Sequence, residues 1–221
     1  MEKKTASYIE KVLNLWAVIL IIWSFYRAYF KTDLPLWFDE LIAKPLIFVI
    51  PVYFFVKRVE KKNFVAAINL GAKKKRDYIL GIIIGALFVV AVFLGNKLRS
   101  YSGGLVLNKS AQGMTPLVLF ILSFATSLSE EILSRGFVLK RLYETSKKLY
   151  SSSFFASILF FFLHIPILFT SQSITGLLLL KVMFADLVLS FALSLLFLER
   201  KSLIMPIIIH ALYNFSLYFL I

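Results

Sequence analysis

The chain contains no cysteine. Disulfides, thiolate metal sites and a cysteine nucleophile are therefore all excluded. Histidine is almost as scarce: only His164 and His210 occur in 221 residues. Acidic residues number 12 against 25 basic ones, and charged residues make up 17% of the chain. No G-x-S-x-G segment and no G-x-G-D segment is present, so motif support for a serine elbow or an aspartyl pair is missing. Neither internal repeats nor low-complexity tracts are found.

What the chain has in abundance is apolar side chains. They account for 60% of residues, where a soluble domain has about 45–50%. The mean hydropathy is +0.84. The apolar residues fall in long runs of Leu, Ile, Val and Phe separated by short charged segments, which is the pattern of bilayer spans. A hydrocarbon core of about 30 Å needs roughly 20 apolar residues per helix. Candidate spans run over 12–30, 41–56, 78–96, 115–142, 153–170, 174–198 and 203–221. The expected fold is an all-α polytopic bundle of about seven spans, forming one membrane domain.

The first run, in MEKKTASYIEKVLNLWAVILIIW, is long and lacks a clean small-residue cleavage site. It reads as a retained first span rather than a removed signal peptide. The last residues, Tyr218-Phe219-Leu220-Ile221, form no lipidation box. In a soluble protein a net charge of +13 would point to nucleic acid. Here the basic residues sit at the ends of apolar runs, where anionic lipid and orientation account for them and no nucleic-acid partner is expected. With the N-terminus inside, the inner segments hold most of the lysines and arginines. The outer ones hold only Arg27, Lys31, Lys44, Lys97, Arg99 and Lys109. That bias predicts a multi-pass cell-membrane protein, N-in and C-out.

Pro45 and Pro51 should kink or tilt the second span. Segment 57–77, basic around an apolar patch, reads as an amphipathic stretch on the membrane surface. Segment 97–114 reads as an exposed loop. Gly81 and Gly85 form a G-x-x-x-G pair suited to close helix packing.

An ionisable group at mid-bilayer costs several kcal/mol unless it is paired or faces a cavity. The fourth span holds Ser129-Glu130-Glu131-Ile132-Leu133-Ser134-Arg135. Glu131 and Arg135 are one turn apart and can form a forked ion pair. Glu130 lies about 100° round the helix, is less well placed for Arg135, and is expected to face a cavity as a general base. An ion-paired helix end near the headgroups is the plainer alternative. His164 and His210 lie inside the fifth and seventh spans, and Asn214 shares a face with His210. A lone histidine is more often a satisfied core residue. Both histidines, an amide and an acid pair on three spans are less easily explained that way. Measured from the inner end, Glu130, His164 and His210 fall at about 18, 16 and 11 Å, close enough for one constellation. In the sixth span Lys181 should snorkel outward and Asp186 face the cavity in support.

Glu130-Glu131 with Arg135, Phe160 with His164, and His210 with Asn214 resemble the E-E-x-x-x-R, F-x-x-x-H and H-x-x-x-N boxes of the CAAX-protease and bacteriocin-processing (CPBP, or Abi) family. That family of intramembrane proteases includes the Ras-converting CAAX endopeptidases. The boxes occur in the family's order over about residues 115–221, which would make that part the catalytic core and 1–114 the N-terminal spans with a basic inner segment. The resemblance implies that Glu130 and His164 activate a water, that His210 and Asn214 stabilise the oxyanion, and that Glu131, Arg135 and Phe160 shape the site. Its implied substrate is a membrane-associated peptide or a prenylated CAAX-type tail. A metal-free mechanism is favoured because H-E-x-x-H is absent. Zinc is kept open, with Glu130, His164 and His210 as the ligands it would use. Two other readings compete: a non-catalytic bacteriocin-immunity or scaffold protein on the same fold, and a proton-coupled carrier, which the lack of an inverted repeat disfavours.

Overall fold

A computed structural model describes residues 2–30, 34–71, 75–99, 113–170 and 176–218. These residues are predominantly helical, with short turns between helices and without a strand among them. We number the helices α1 (Glu2–Tyr29), α2 (36–58), α3 (Phe64–Ala67), α4 (Lys75–Arg99), α5 (116–146), α6 (Leu149–Thr170), α7 (Gly176–Arg200) and α8 (Ile204–Leu217). All seven expected spans overlap a helix. Among the described residues, four helical stretches are long and apolar enough to cross a membrane: Ser7–Tyr29, Lys75–Leu94, Pro116–Ser146 and Leu149–Pro166. Ile204–Leu217 is apolar but shorter. The predicted loop 97–114 lies mostly outside the described residues, as do Lys31 and Lys109.

Helix α5 is the axis of the bundle. Thr115 caps its start by accepting from the Val118 N–H, and Pro116 occupies the first turn, where its missing N–H costs nothing. Residues 129–139 are buried on every side of the helix, as expected of a helix enclosed by others rather than by lipid. Around it, α1 contributes one stripe, Val12, Trp16, Ile19 and Trp23, at helical spacing. Its opposite face leaves Val18, Ile21 and Phe25 exposed to the lipid side.

Where the sequence suggested a kink or tilt, the helix around the prolines of α2 is widened. Neither Pro45 nor Pro51 can donate a helical hydrogen bond, and both rings crowd the preceding turn. The helix widens to i→i+5 bonding over Asp39–Ala43 and Pro45–Val49: the Lys44 N–H reaches the Asp39 carbonyl, and the Ile50 N–H reaches that of Pro45. A second widened stretch, Ile132–Leu139, follows the acid pair in α5. Such segments often occur where a helix serves a site.

The segment between α2 and α4 corrects the sequence reading. It contains a single helical turn, Phe64–Ala67, and Ala67 and Ile68 are buried in the core. Ionic clamps draw it inward. Arg141 grips Glu60 with two bonds, Nε to Oε1 at 2.9 Å and Nη2 to Oε2 at 2.8 Å, while the Tyr8 hydroxyl donates to Oε1 at 2.7 Å. Lys140 donates to the Ala67 carbonyl and to Asn69 Oδ1. Burial alone would raise the pKa of Glu60, but the Arg141 fork and the Tyr8 hydrogen bond outweigh it and hold the carboxyl below its ordinary value of 4.5. A depressed folded-state pKa makes the contribution complete above about pH 4.5 and lost as pH falls through the folded value, about 1.4 kcal/mol for each unit of depression. Unfolding followed in detergent from neutral to acidic pH should therefore cost the wild type more stability than Glu60→Gln. Parallel curves would contradict this assignment.

Gly81 and Gly85 do mediate close packing. A Cβ on Gly81 would stand 3.1 Å from Ile208 Cβ, and one on Gly85 would stand 2.9 Å from Leu212 Cβ. These glycines let α4 lie directly against α8, which carries His210 and Asn214. Gly85→Val should push α8 away, lower the unfolding temperature in detergent and reduce any activity by about 10²-fold, since small displacements of reacting groups have effects of that size. A Gly85→Val protein with unchanged stability would show that α4 does not fix α8.

Candidate active site

Glu130 and Glu131 close the regular part of α5, immediately before it widens. Glu131 is fully buried. Its Oε1 accepts from Arg135 Nη1 at 2.7 Å and from His210 Nδ1 at 2.8 Å. The first bond is the one-turn pair expected from spacing. The second brings α8 to α5. Arg135 continues the network: Nη2 donates to the Ser190 carbonyl and hydroxyl of α7, and the guanidinium lies 4.4 Å above the Phe160 ring of α6. The same ring meets His164 edge-on at 4.6 Å and His210 at 5.8 Å between centroids. Phe160 is thus the apolar wedge that spaces both imidazoles and the arginine.

The acceptors place a proton on Nδ1 of both rings. The His164 Nδ1 stands 3.1 Å from the Phe160 carbonyl, which can only accept, so Nδ1 carries a proton and Nε2 is the acceptor of the neutral ring. His210 likewise donates Nδ1–H to Glu131, leaving Nε2 facing Glu130 Oε2 at 3.6 Å. Pro166, two residues after His164, lies within α6 and removes a backbone donor there. The Trp23 indole, from α1, donates to the neighbouring Leu163 carbonyl at 3.1 Å and fixes α6 at this level.

Glu130 departs from expectation. It does not simply face a cavity; its Oε1 is 2.9 Å from the Lys44 ammonium. Lys44 also contacts Glu40 Oε2 and donates to Thr126 Oγ1, each at 2.7 Å. From sequence Lys44 counted as an outer-segment charge; it is in fact buried within α2.

Asn214, one turn beyond His210, donates from Nδ2 to Ser127 Oγ at 3.1 Å. Asp186 accepts from the Tyr213 hydroxyl at 2.8 Å and lies within electrostatic range of both histidines and Glu130. Lys181 is exposed, as an outward snorkel requires. The arrangement therefore brings Glu130, Glu131, Arg135, Phe160, His164 and His210 together, with Asn214 and Asp186 at its edge. Sequence reasoning missed Lys44, Glu40, Ser127 and Ser190. Zinc fits this arrangement poorly. Lys44 holds one oxygen of Glu130, Glu131 holds Nδ1 of His210, and among the described residues no three His, Asp or Glu side chains converge as a ligand set.

Chemically, the site offers a carboxylate, two imidazole rings each anchored through Nδ1–H, and an amide donor, all inside a helical bundle. Residues 112–216 match the family model for type II CAAX prenyl endopeptidase, Rce1-like. Over that segment the chain is similar to the CAAX-protease and bacteriocin-processing family, in agreement with the three boxes. The Rce1-like segment takes in α5 to α8 and therefore all three boxes read from the sequence. Helices α1 to α4 lie outside it. No curated protein and no solved structure matches the chain. The apolar helices and this match together support a membrane protein, and the family matched is one of proteases.

Proposed function

We propose that the chain is a glutamate-dependent intramembrane endopeptidase that cuts a prenylated CAAX-type tail or a similar membrane-associated peptide. Glu130 and His164 activate the water: as it attacks the scissile carbonyl its proton passes to Glu130 while His164 Nε2 orients it by accepting a hydrogen bond, and the proton is then given to the amine nitrogen as the C–N bond breaks. Asn214 and His210 donate to the oxyanion that develops. For His210 this is the imidazolium form, because Nδ1–H is already committed to Glu131. Arg135 and Glu131 orient His210, and Asp186 supports from α7.

The observation that carries this reading is the meeting of Glu130 with His210 at 3.6 Å, beside His164, from three separate helices. Burial of such groups is costly for structure alone, and a water-poor bundle strengthens each polar contact to the reacting atoms. The tautomer of His164 adds support, since its Nε2 is the nitrogen able to accept a hydrogen bond. For orientation we propose the N-terminus on the inner side. Arg27 and Lys44, both assigned to the outer side, are buried in ion pairs with Asp39 and with Glu40 and Glu130. They therefore weigh little against the positive charge at the other end.

The test is turnover of quenched peptides by the purified protein in detergent, using farnesylated CAAX tails and their unprenylated counterparts, with and without a chelator. Cleavage of the prenylated tail, unchanged by chelator, is the expected result. A folded protein that cleaves none of the peptides would overturn the reading. Loss of cleavage with chelator would overturn its metal-free mechanism.

A further inference from the structure

The cluster on α2 has no place in the family segment, yet it touches the carboxylate that the mechanism needs most. We propose that Lys44 is a positioning residue of the active site, supplied by the N-terminal half of the chain, and that it fixes the rotamer of Glu130. The inference rests on the proteolytic reading above and extends it to a helix outside the Rce1-like match.

Three observations converge. Lys44 is 5% exposed, and its ammonium has three oxygen partners, Glu130 Oε1, Glu40 Oε2 and Thr126 Oγ1, within 2.9 Å. Two of the three belong to α5, so the contact is between helices and not merely within α2. The widened backbone of Asp39–Ala43 and Pro45–Val49 flanks Lys44 on both sides, and the Trp23 ring packs 5.9 Å from its ammonium. With Oε1 held by Lys44, Oε2 is the oxygen left facing His210. The groups around Glu130 are Lys44 and Glu40 from α2, Glu131 and Arg135 from its own helix, His164 from α6, Asp186 from α7 and His210 from α8. Of the lysine and the arginine among them, Lys44 is the one that directly contacts Glu130.

A purely structural role makes a different prediction. If Lys44 served only to neutralise Glu40, removing both would be harmless. The experiment compares Lys44→Met, Lys44→Arg and Lys44→Met/Glu40→Gln on the farnesylated peptide. Lys44→Met should lower kcat by about 10²-fold, the effect of a misplaced reacting group, with KM within about twofold of wild type. Lys44→Arg should recover a large part of the loss, and the double variant should stay as slow as Lys44→Met. Recovery in the double variant would overturn the proposal, as would wild-type kcat in Lys44→Met. A readout without turnover runs in parallel: unfolding temperatures of Lys44→Met, Glu130→Gln and their combination. Lys44→Met leaves a buried carboxylate without its cation, so adding Glu130→Gln should raise the unfolding temperature again. Strictly additive shifts would overturn the contact itself. A wild type that cleaves nothing, with a non-additive cycle, would instead overturn the proteolytic reading while leaving the Lys44–Glu130 contact standing.

Discussion

Replacing Glu130 with Gln should reduce kcat on a cleavable peptide by about 10³-fold or more while the protein remains folded. The size follows from the role. A positioned general base contributes about 10²–10⁴-fold, and Gln is nearly isosteric but cannot accept the water proton. The survival of the fold follows from the neighbours. The carbonyl oxygen of the introduced amide can still accept from Lys44, which keeps its ion pair with Glu40 and its bond to Thr126. No cation is therefore left buried without a partner, the situation in which breaking an ion pair is most destabilising. Turnover in detergent, with size-exclusion and unfolding profiles on the same preparations, separates loss of chemistry from loss of fold. A Glu130→Gln protein that keeps a tenth of wild-type kcat would remove Glu130 from the mechanism. A scaffold protein on this fold would tolerate the change altogether.

The sequence made the C-terminal half more legible than the N-terminal half, for a physical reason. In α5, α6 and α8 the chemistry-bearing residues are isolated in apolar runs, so each stands out, and their partners lie at one-turn spacing. Glu131 with Arg135 and Phe160 with His164 were both readable as local pairs, and the structure adds that the Phe160 ring sits under Arg135 as well. The bond from His210 to Glu131 spans 79 positions and could not be read from spacing. The N-terminal half misled in a specific way. Lys44 follows a charged stretch, precedes a proline and sits at the edge of a short span, all of which mark a loop. Glu40 lies one turn before it, and that pair inside a helix was the available signal. The prolines were seen as a kink, but i→i+5 widening that keeps α2 helical through them depends on its packing against α1 and α5. Likewise the basic patch of 57–77 looked amphipathic because Arg141 and Lys140, which draw it into the bundle, come about 70–80 residues later in the chain.

The largest effect on stability is expected at Arg135. Its guanidinium ties together the Glu131 carboxylate, the Ser190 carbonyl and hydroxyl, and the Phe160 ring, on three different helices. Arg135→Leu fills much of the volume but leaves Glu131, fully buried, with His210 as its remaining donor, and it takes a donor from Ser190, whose carbonyl keeps only local partners such as the Ser194 hydroxyl. Breaking a buried ion pair from one side costs about 3–5 kcal/mol, a large share of the roughly 5–15 kcal/mol that separates folded from unfolded states. The variant should unfold well below the wild type in detergent. Adding Glu131→Gln removes the orphaned charge, so Arg135→Leu/Glu131→Gln should regain a substantial part of the loss, although the Ser190 and Phe160 contacts stay broken. Turnover should not return with the fold, because Glu131 is what turns Nε2 of His210 toward Glu130. If the double variant unfolds no later than Arg135→Leu, the stabilisation resides in the contacts to α6 and α7 rather than in the ion pair. If it also cleaves peptide at the wild-type rate, the charge of Glu131 has no part in the chemistry, and the acid pair divides its work differently, with Glu130 as the one carboxylate serving the reaction.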